Sequence, residues 1–277
     1  MSAKGLMSQK QWISHDESQE KASALIKKVN LYLLLVPIVV LLVVSIALRQ
    51  FIVVPILGVL AGVALQRAVA SSSRTVFSDV LESPTASDVT HARVYNVVDG
   101  LCVVSGDQRP AVVVIDSQFP LAVAAVDSDG SHVIGVSQNF VNVMTRVEVE
   151  AVMAHLLWRL RVGHGRLVSY LVGLDRVLSK IGLRTVSQRI AKKALSQELI
   201  TLADIAACQA TRFPPALISA LEKCESSQGS VALDAGQFLS FALPSDLGGA
   251  TSATFKVSSL DLTRPSLSER VAILKEM

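Results

Sequence analysis

The chain has 277 residues, 51% of them hydrophobic, and a formal net charge of +3. That apolar fraction exceeds what an ordinary water-soluble protein carries and points to a membrane. The charge is mild and no basic cluster is interleaved with aromatics, so nucleic acid is set aside as a partner.

Residues 1–28 are polar and end in Lys27-Lys28; positions 12–26 suit either a short surface helix or a disordered segment. No small-residue cleavage pattern ends the apolar run that follows, so a cleaved signal peptide is not expected. Positions 31–48 contain no charge and are about long enough to cross a bilayer core. Arg49-Gln50 interrupt, and a second apolar run covers 51–65 and continues through alanines past Arg67. One continuous helix would outrun the bilayer, so the two runs read as a transmembrane hairpin over 29–70. Pro37 and Pro55 are tolerable where a neighbouring helix covers the freed carbonyls. Gly58 and Gly62 either let the two helices approach closely or reflect the general frequency of glycine in membrane helices. Lys27 and Lys28 before the hairpin and Arg67 and Arg74 after it place both ends in the cytoplasm, with Arg49 in the turn weakening the contrast.

Positions 71–90 are small and polar, the composition of a connector. A helical pattern over 91–102 precedes β-branched runs at 111–116, 122–126 and 132–136. The turn signal Asp127-Ser128-Asp129-Gly130 joins the last two in a hairpin or meander. The stretch 145–167 reads as one helix. Val149, Met153, Leu157 and Leu160 form an apolar stripe, with Glu148, Val152, Leu156 and Arg159 on an adjoining side. Positions 167–181 are apolar but carry Asp175, Arg176 and Lys180, which favours an amphipathic or interfacial helix over a span. Positions 226–260 are rich in Ser, Gly and Ala and read as a loop. Cys102, Cys208 and Cys224 have no CxxC pairing and read as buried, reduced thiols in a cytosol-facing domain.

Several motifs fall in a recognisable order: Ile115-Asp116-Ser117, Ile134 through Phe140, Thr145 through His155, Ala203-Asp204, Thr211-Arg212-Phe213-Pro214-Pro215, and Thr263-Arg264-Pro265 ending in Glu269-Arg270. From about residue 30 to the C-terminus the chain resembles the HtpX-like membrane zinc metallopeptidases. In that family the central helix carries Ala-His-Glu-x-x-His, with two zinc-binding histidines and a glutamate that activates water. The resemblance puts His155 at the first ligand position, Leu156 at the general base and Arg159 at the second histidine. It also puts Ile200 at the third-ligand glutamate and Arg264 at a downstream family histidine, while His164 replaces a family aspartate. A leucine accepts no proton, and an arginine stays cationic and offers zinc no lone pair.

The expectation is an α+β chain: a mainly helical metallopeptidase-like domain with a small β-sheet over 91–277, preceded by the hairpin. The degenerate positions Leu156, Arg159, Ile200 and Arg264 imply a catalytically dead pseudo-peptidase, with His155 a remnant ligand or simply a hydrogen-bonded core residue. No cofactor is expected. Zinc enters only on the alternative of an active endopeptidase with displaced ligands, such as His155 with His164 and Glu198 or Asp204. Arg159 and Arg264 either pair with Asp204 or Glu269 or face water. The strand holding Leu121, Ala122, Val123 and Ala124 matches the family's cleft-bordering strand and offers an edge to an extended peptide. The partners expected are the lipid bilayer and another membrane protein or an active homologue, at a bacterial-type cytoplasmic membrane with the main domain cytosolic.

Overall fold

The computed structural model describes residues 15–48, 53–81, 91–115, 117, 119–126, 131–194, 197–227, 240–242 and 265–277. Two long helices open it, α1 (His15–Leu48) and α2 (Val53–Leu81), packed against each other along their length. Both contain stretches long and apolar enough to cross a membrane, Gln19–Ile46 and Val54–Ser73. A soluble core helix of that composition would be buried. Here Val36, Val39, Val40, Val43, Ile46, Ile56 and Leu60 are all more than half exposed. An apolar face of that size is unstable in water and suited to lipid, so the pair is a membrane hairpin in contact with the bilayer.

The hairpin is tight because of its glycines. A Cβ on Gly62 would lie 2.8 Å from the carbonyl oxygen of Leu34, and one on Gly58 would lie 3.1 Å from the Cα of Ile38. The backbones touch where only glycine permits it, which decides for close approach at both positions. The same register sets Gln66 beside Asn30, whose carbonyl accepts a 2.6 Å hydrogen bond from Gln66 Nε2.

Two expectations about this region need correction. The helix of α1 begins at least fourteen residues before Val29 and is continuous with the membrane segment, so 15–28 is neither a separate surface helix nor disordered. Likewise α2 runs on to Leu81, so the first part of the expected connector is helix. Its small residues 71–73 suit close packing as well as a linker: a Cβ on Gly173 would lie 2.7 Å from the backbone nitrogen of Ser73.

Beyond the hairpin come α3 (Ala92–Ser105), β1 (Ala111–Ile115), β2 (Ala122–Val126) and β3 (His132–Ser137). The strands lie where the β-branched runs predict, and β2 and β3 form the expected antiparallel pair. The sheet is not a simple meander, however. Its order is β1-β3-β2, with β1 parallel to β3. Short α4 (Gln138–Val143) leads into α5 (Arg146–Arg161), and α6 (His164–Lys180) follows after a break. The 145–167 stretch is therefore two helices. Gly163 makes the break, with φ 74°, a left-handed conformation natural to glycine. Helix α6 is buried over most of its length between α2 and β2, which makes it an internal helix of the domain. The remaining helices are α7 (Arg184–Ala194), α8 (Gln197–Thr211), α9 (Pro214–Ser226) and α10 (Leu267–Lys275). Together they give the expected α+β architecture, dominated by helix and with a small sheet. Helix α5 is its axis, packed by α3, α6, α8, α9 and β2.

Candidate functional site

The lead-in to α5 is an N-terminal cap. Thr145 Oγ1 accepts from the Glu148 amide, and Glu148 Oε2 accepts from the Thr145 amide at 2.7 Å, forming a capping box. Glu148 also accepts from Ser219 Oγ at 2.6 Å and Lys223 Nζ at 2.7 Å, which ties α5 to α9. Burial alone would raise its pKa, but the bonds from Lys223, Ser219 and Thr145 outweigh that and hold the carboxyl below its ordinary value. Glu148 is thus a charged structural clamp, fully engaged before the helix reaches the site.

His155, on the buried stretch of α5, has no exposure at all. Its Nδ1 lies 2.9 Å from Asp204 Oδ1 on α8, though the approach is too oblique for a directed hydrogen bond. Its Nε2 has no hydrogen-bond partner among the described residues. The edge of the His155 ring meets the Phe241 ring at a centroid distance of 5.1 Å. Burial pushes the imidazole pKa down to about 4. The Asp204 carboxylate resists that fall, and the Arg270 and Arg159 charges assist it.

Asp204 is itself almost wholly buried and is claimed by Arg270 of α10. Arg270 Nε donates to Oδ2 and Nη2 to Oδ1, each at 2.7 Å, the bidentate fork that suits guanidinium to carboxylate. Burial would raise the Asp204 pKa, but the Arg270 charge and its hydrogen bonds hold the carboxyl well below the usual range. The third arm of Arg270 reaches the Phe241 carbonyl at 2.7 Å, and its guanidinium sits 5.0 Å from the centre of the Phe241 ring.

Arg159, one turn beyond His155, is 2% exposed. Its Nε donates to Nδ1 of His164 at 3.2 Å, and Nη1 donates to the Ser240 carbonyl at 2.9 Å. Accepting at Nδ1 puts the proton of a neutral His164 on Nε2. The break at Gly163 is what brings His164 back over Arg159. Leu156 of α5 and Ile200 of α8 are both buried, 0% and 7% exposed, and Leu156 belongs to the main hydrophobic core.

A protein zinc site needs three or four nitrogen, oxygen or sulfur ligands converging on one point. Among the described residues no group of three His, Cys, Asp or Glu side chains is placed to hold a metal. Both Asp204 oxygens face Arg270, and Arg159 fixes a second positive charge beside His164. These residues do not fit a divalent cation. Nor do the thiols supply a nucleophile: Cys102, Cys208 and Cys224 are free and buried, and burial pushes Cys208 and Cys224 up to about 12.

No family model matches the chain, and no solved structure matches it. Curated proteins do. The "Protease HtpX homolog" of Bacteroides fragilis is 25% identical over 219 residues, covering 66% of this chain and 68% of that protein. That of Dictyoglomus thermophilum is 27% identical over 212 residues, with the same coverage. That of Levilactobacillus brevis is 24% identical over 249 residues, covering 75% of this chain and 80% of its own length. The chain is similar to these HtpX homologs.

The structure brings His155, Arg159, His164 and Asp204 into one buried neighbourhood, but not in the combinations the sequence suggests. Arg159 takes His164 and a backbone carbonyl; Asp204 takes Arg270. The alternative that Arg159 faces water is excluded by its burial. Arg264 and the Glu198 side chain lie outside the described residues. The expected open edge at Leu121, Ala122, Val123 and Ala124 also needs correction. All four are buried, and the chain's own residues lie along that edge: Val123 forms an antiparallel bridge with Ser240, and the Phe241 amide donates to the Ala122 carbonyl at 2.7 Å.

Three participants escape the sequence reading. Ser240 and Phe241 sit in a stretch whose composition suggests only loop. Arg270 closes the motif running from Thr263 to Glu269-Arg270, and its place in that motif is the available signal.

Proposed function

We propose that this HtpX-like membrane protein is a non-catalytic member of its group, acting as a binding or scaffold subunit in a membrane protein assembly or quality-control system. The observation that carries this reading is the Arg270–Asp204–His155 cluster. A guanidinium supplies the positive charge beside the acidic partner of the first-ligand histidine, and leucine and isoleucine replace the groups that would hold metal and activate water. Buried carboxylates left without a cation would be costly, so their loss at Leu156 and Ile200 is what a metal-free core favours. The charge pattern Lys27-Lys28 and Arg67 at the hairpin's ends supports a domain on the cytosolic side.

Elemental mass spectrometry of the detergent-purified chain tests the reading, with His155→Ala measured alongside. Substoichiometric zinc in both is the expected result. One zinc per chain, lost in the variant, would overturn the reading in favour of an active endopeptidase with displaced ligands.

A further inference from the structure

The inner end of the hairpin meets α6 at a cavity of about 450 Å³, away from the His155 cluster. Its walls include Asn30 of α1, Gln66 and Arg67 of α2, and Arg166, Ser169 and Tyr170 of α6. Part of this wall is fixed internally. Tyr170 donates its hydroxyl to Asn30 Oδ1 at 2.7 Å, and Gln66 Nε2 donates to the Asn30 carbonyl. Three other donors of the wall are unsatisfied among the described residues. Among the described residues neither the Arg67 nor the Arg166 guanidinium has an ion-pair or hydrogen-bond partner, and no carboxylate lines the cavity. Ser169 is 5% exposed, yet its buried Oγ has no hydrogen-bond partner among the described residues. Two exposed guanidinium groups bordering one cavity, with an unpartnered hydroxyl in its wall, are a donor set for a phosphate.

The hairpin register gives the depth. Gly62 lies on Leu34 and Gln66 on Asn30, so Arg67 stands where the uncharged run of α1 begins, at the level of the exposed Lys27 and Lys28. Hydrocarbon gives way to headgroups at such a level, and cations there attract anionic lipid. We propose that this cavity binds the phosphate of an anionic phospholipid through Arg67, Arg166 and Ser169.

The test uses the full chain in neutral detergent, stripped of lipid, with binding followed by native mass spectrometry. The probes are phosphatidylglycerol, phosphatidylcholine and inorganic phosphate. Phosphatidylglycerol should bind best, and Arg67→Gln/Arg166→Gln should weaken it on the order of tenfold while Arg184→Gln has no effect. Ser169→Ala guards against misfolding of the double variant: it should raise the melting temperature without lipid and weaken phosphatidylglycerol binding. Equal binding of phosphatidylglycerol to wild type and to the double glutamine variant would overturn the proposal. So would equal affinity for phosphatidylcholine, or inorganic phosphate binding as tightly as the lipid, which would mark a small-anion site.

Discussion

Arg270 grips Asp204 through two parallel hydrogen bonds of 2.7 Å, joining helices 66 residues apart in sequence, with both side chains buried. The pair locks α10 to α8 and presents the carboxylate to His155. Removing one member strands the other's charge in the core. Arg270→Met should therefore destabilise the protein by about 3–5 kcal/mol, while Arg270→Met/Asp204→Leu recovers much of the loss. Denaturation of the two single variants and the double variant measures the coupling; simple additivity would show that the pair is not a unit.

His155 gives the fold a pH dependence with a defined sign. Its pKa falls from 6.5 to about 4 on folding, so between those values the unfolded chain binds the extra proton. Its contribution is full above pH 6.5 and is lost as the pH falls through 4, about 3 kcal/mol in all. Asp204 and Glu148, both held below their ordinary values, add to the fall at the acid end of this range, and His132, also lowered by burial, contributes equally to both curves. A pH series of unfolding midpoints should show the wild type falling between pH 6.5 and 4 more steeply than His155→Gln. Parallel curves would refute the assignment.

Chelation supplies a third check. Since the described residues do not fit a divalent cation, overnight treatment with a strong chelator should leave the melting temperature unchanged. A drop reversed by zinc would contradict this.

Two glycine-to-alanine changes should act in opposite directions. Gly62→Ala places a methyl 2.8 Å from the Leu34 carbonyl and should force the hairpin apart, at a cost of about 1–3 kcal/mol. Gly100→Ala on α3 meets nothing within 4 Å and should stabilise by roughly 0.5–1 kcal/mol, because alanine is the better helix former. Thermal melts of both variants in the same detergent compare them directly.

Much of this was legible in the sequence because local chemistry dictated it. Uncharged runs specified the hairpin, β-branched runs specified the strands, and the family pattern marked His155 and Asp204 as residues to watch. What stayed hidden depends on distant partners. Parallel pairing of β1 with β3 leaves no local trace, since the same five residues would alternate alike in either direction. The sequence offers Arg159 the choice of Asp204, Glu269 or water, but its actual acceptors are His164, brought back by one glycine, and a carbonyl 81 residues away. Ser240 and Phe241 contribute mainly backbone carbonyls to the two arginines, and carbonyls are the same in every residue.

The continuity of α2 has one more consequence. At about 1.5 Å per residue its 29 residues extend some 43 Å, against about 30 Å of hydrocarbon, so its last turns stand clear of the bilayer. Just before those turns α2 packs closely against α6, with the Ser73 backbone set against Gly173. The domain therefore rides on the hairpin as a rigid mast rather than hanging from a tether. A thinner or thicker bilayer that tilts the hairpin will lean the whole domain through the same angle.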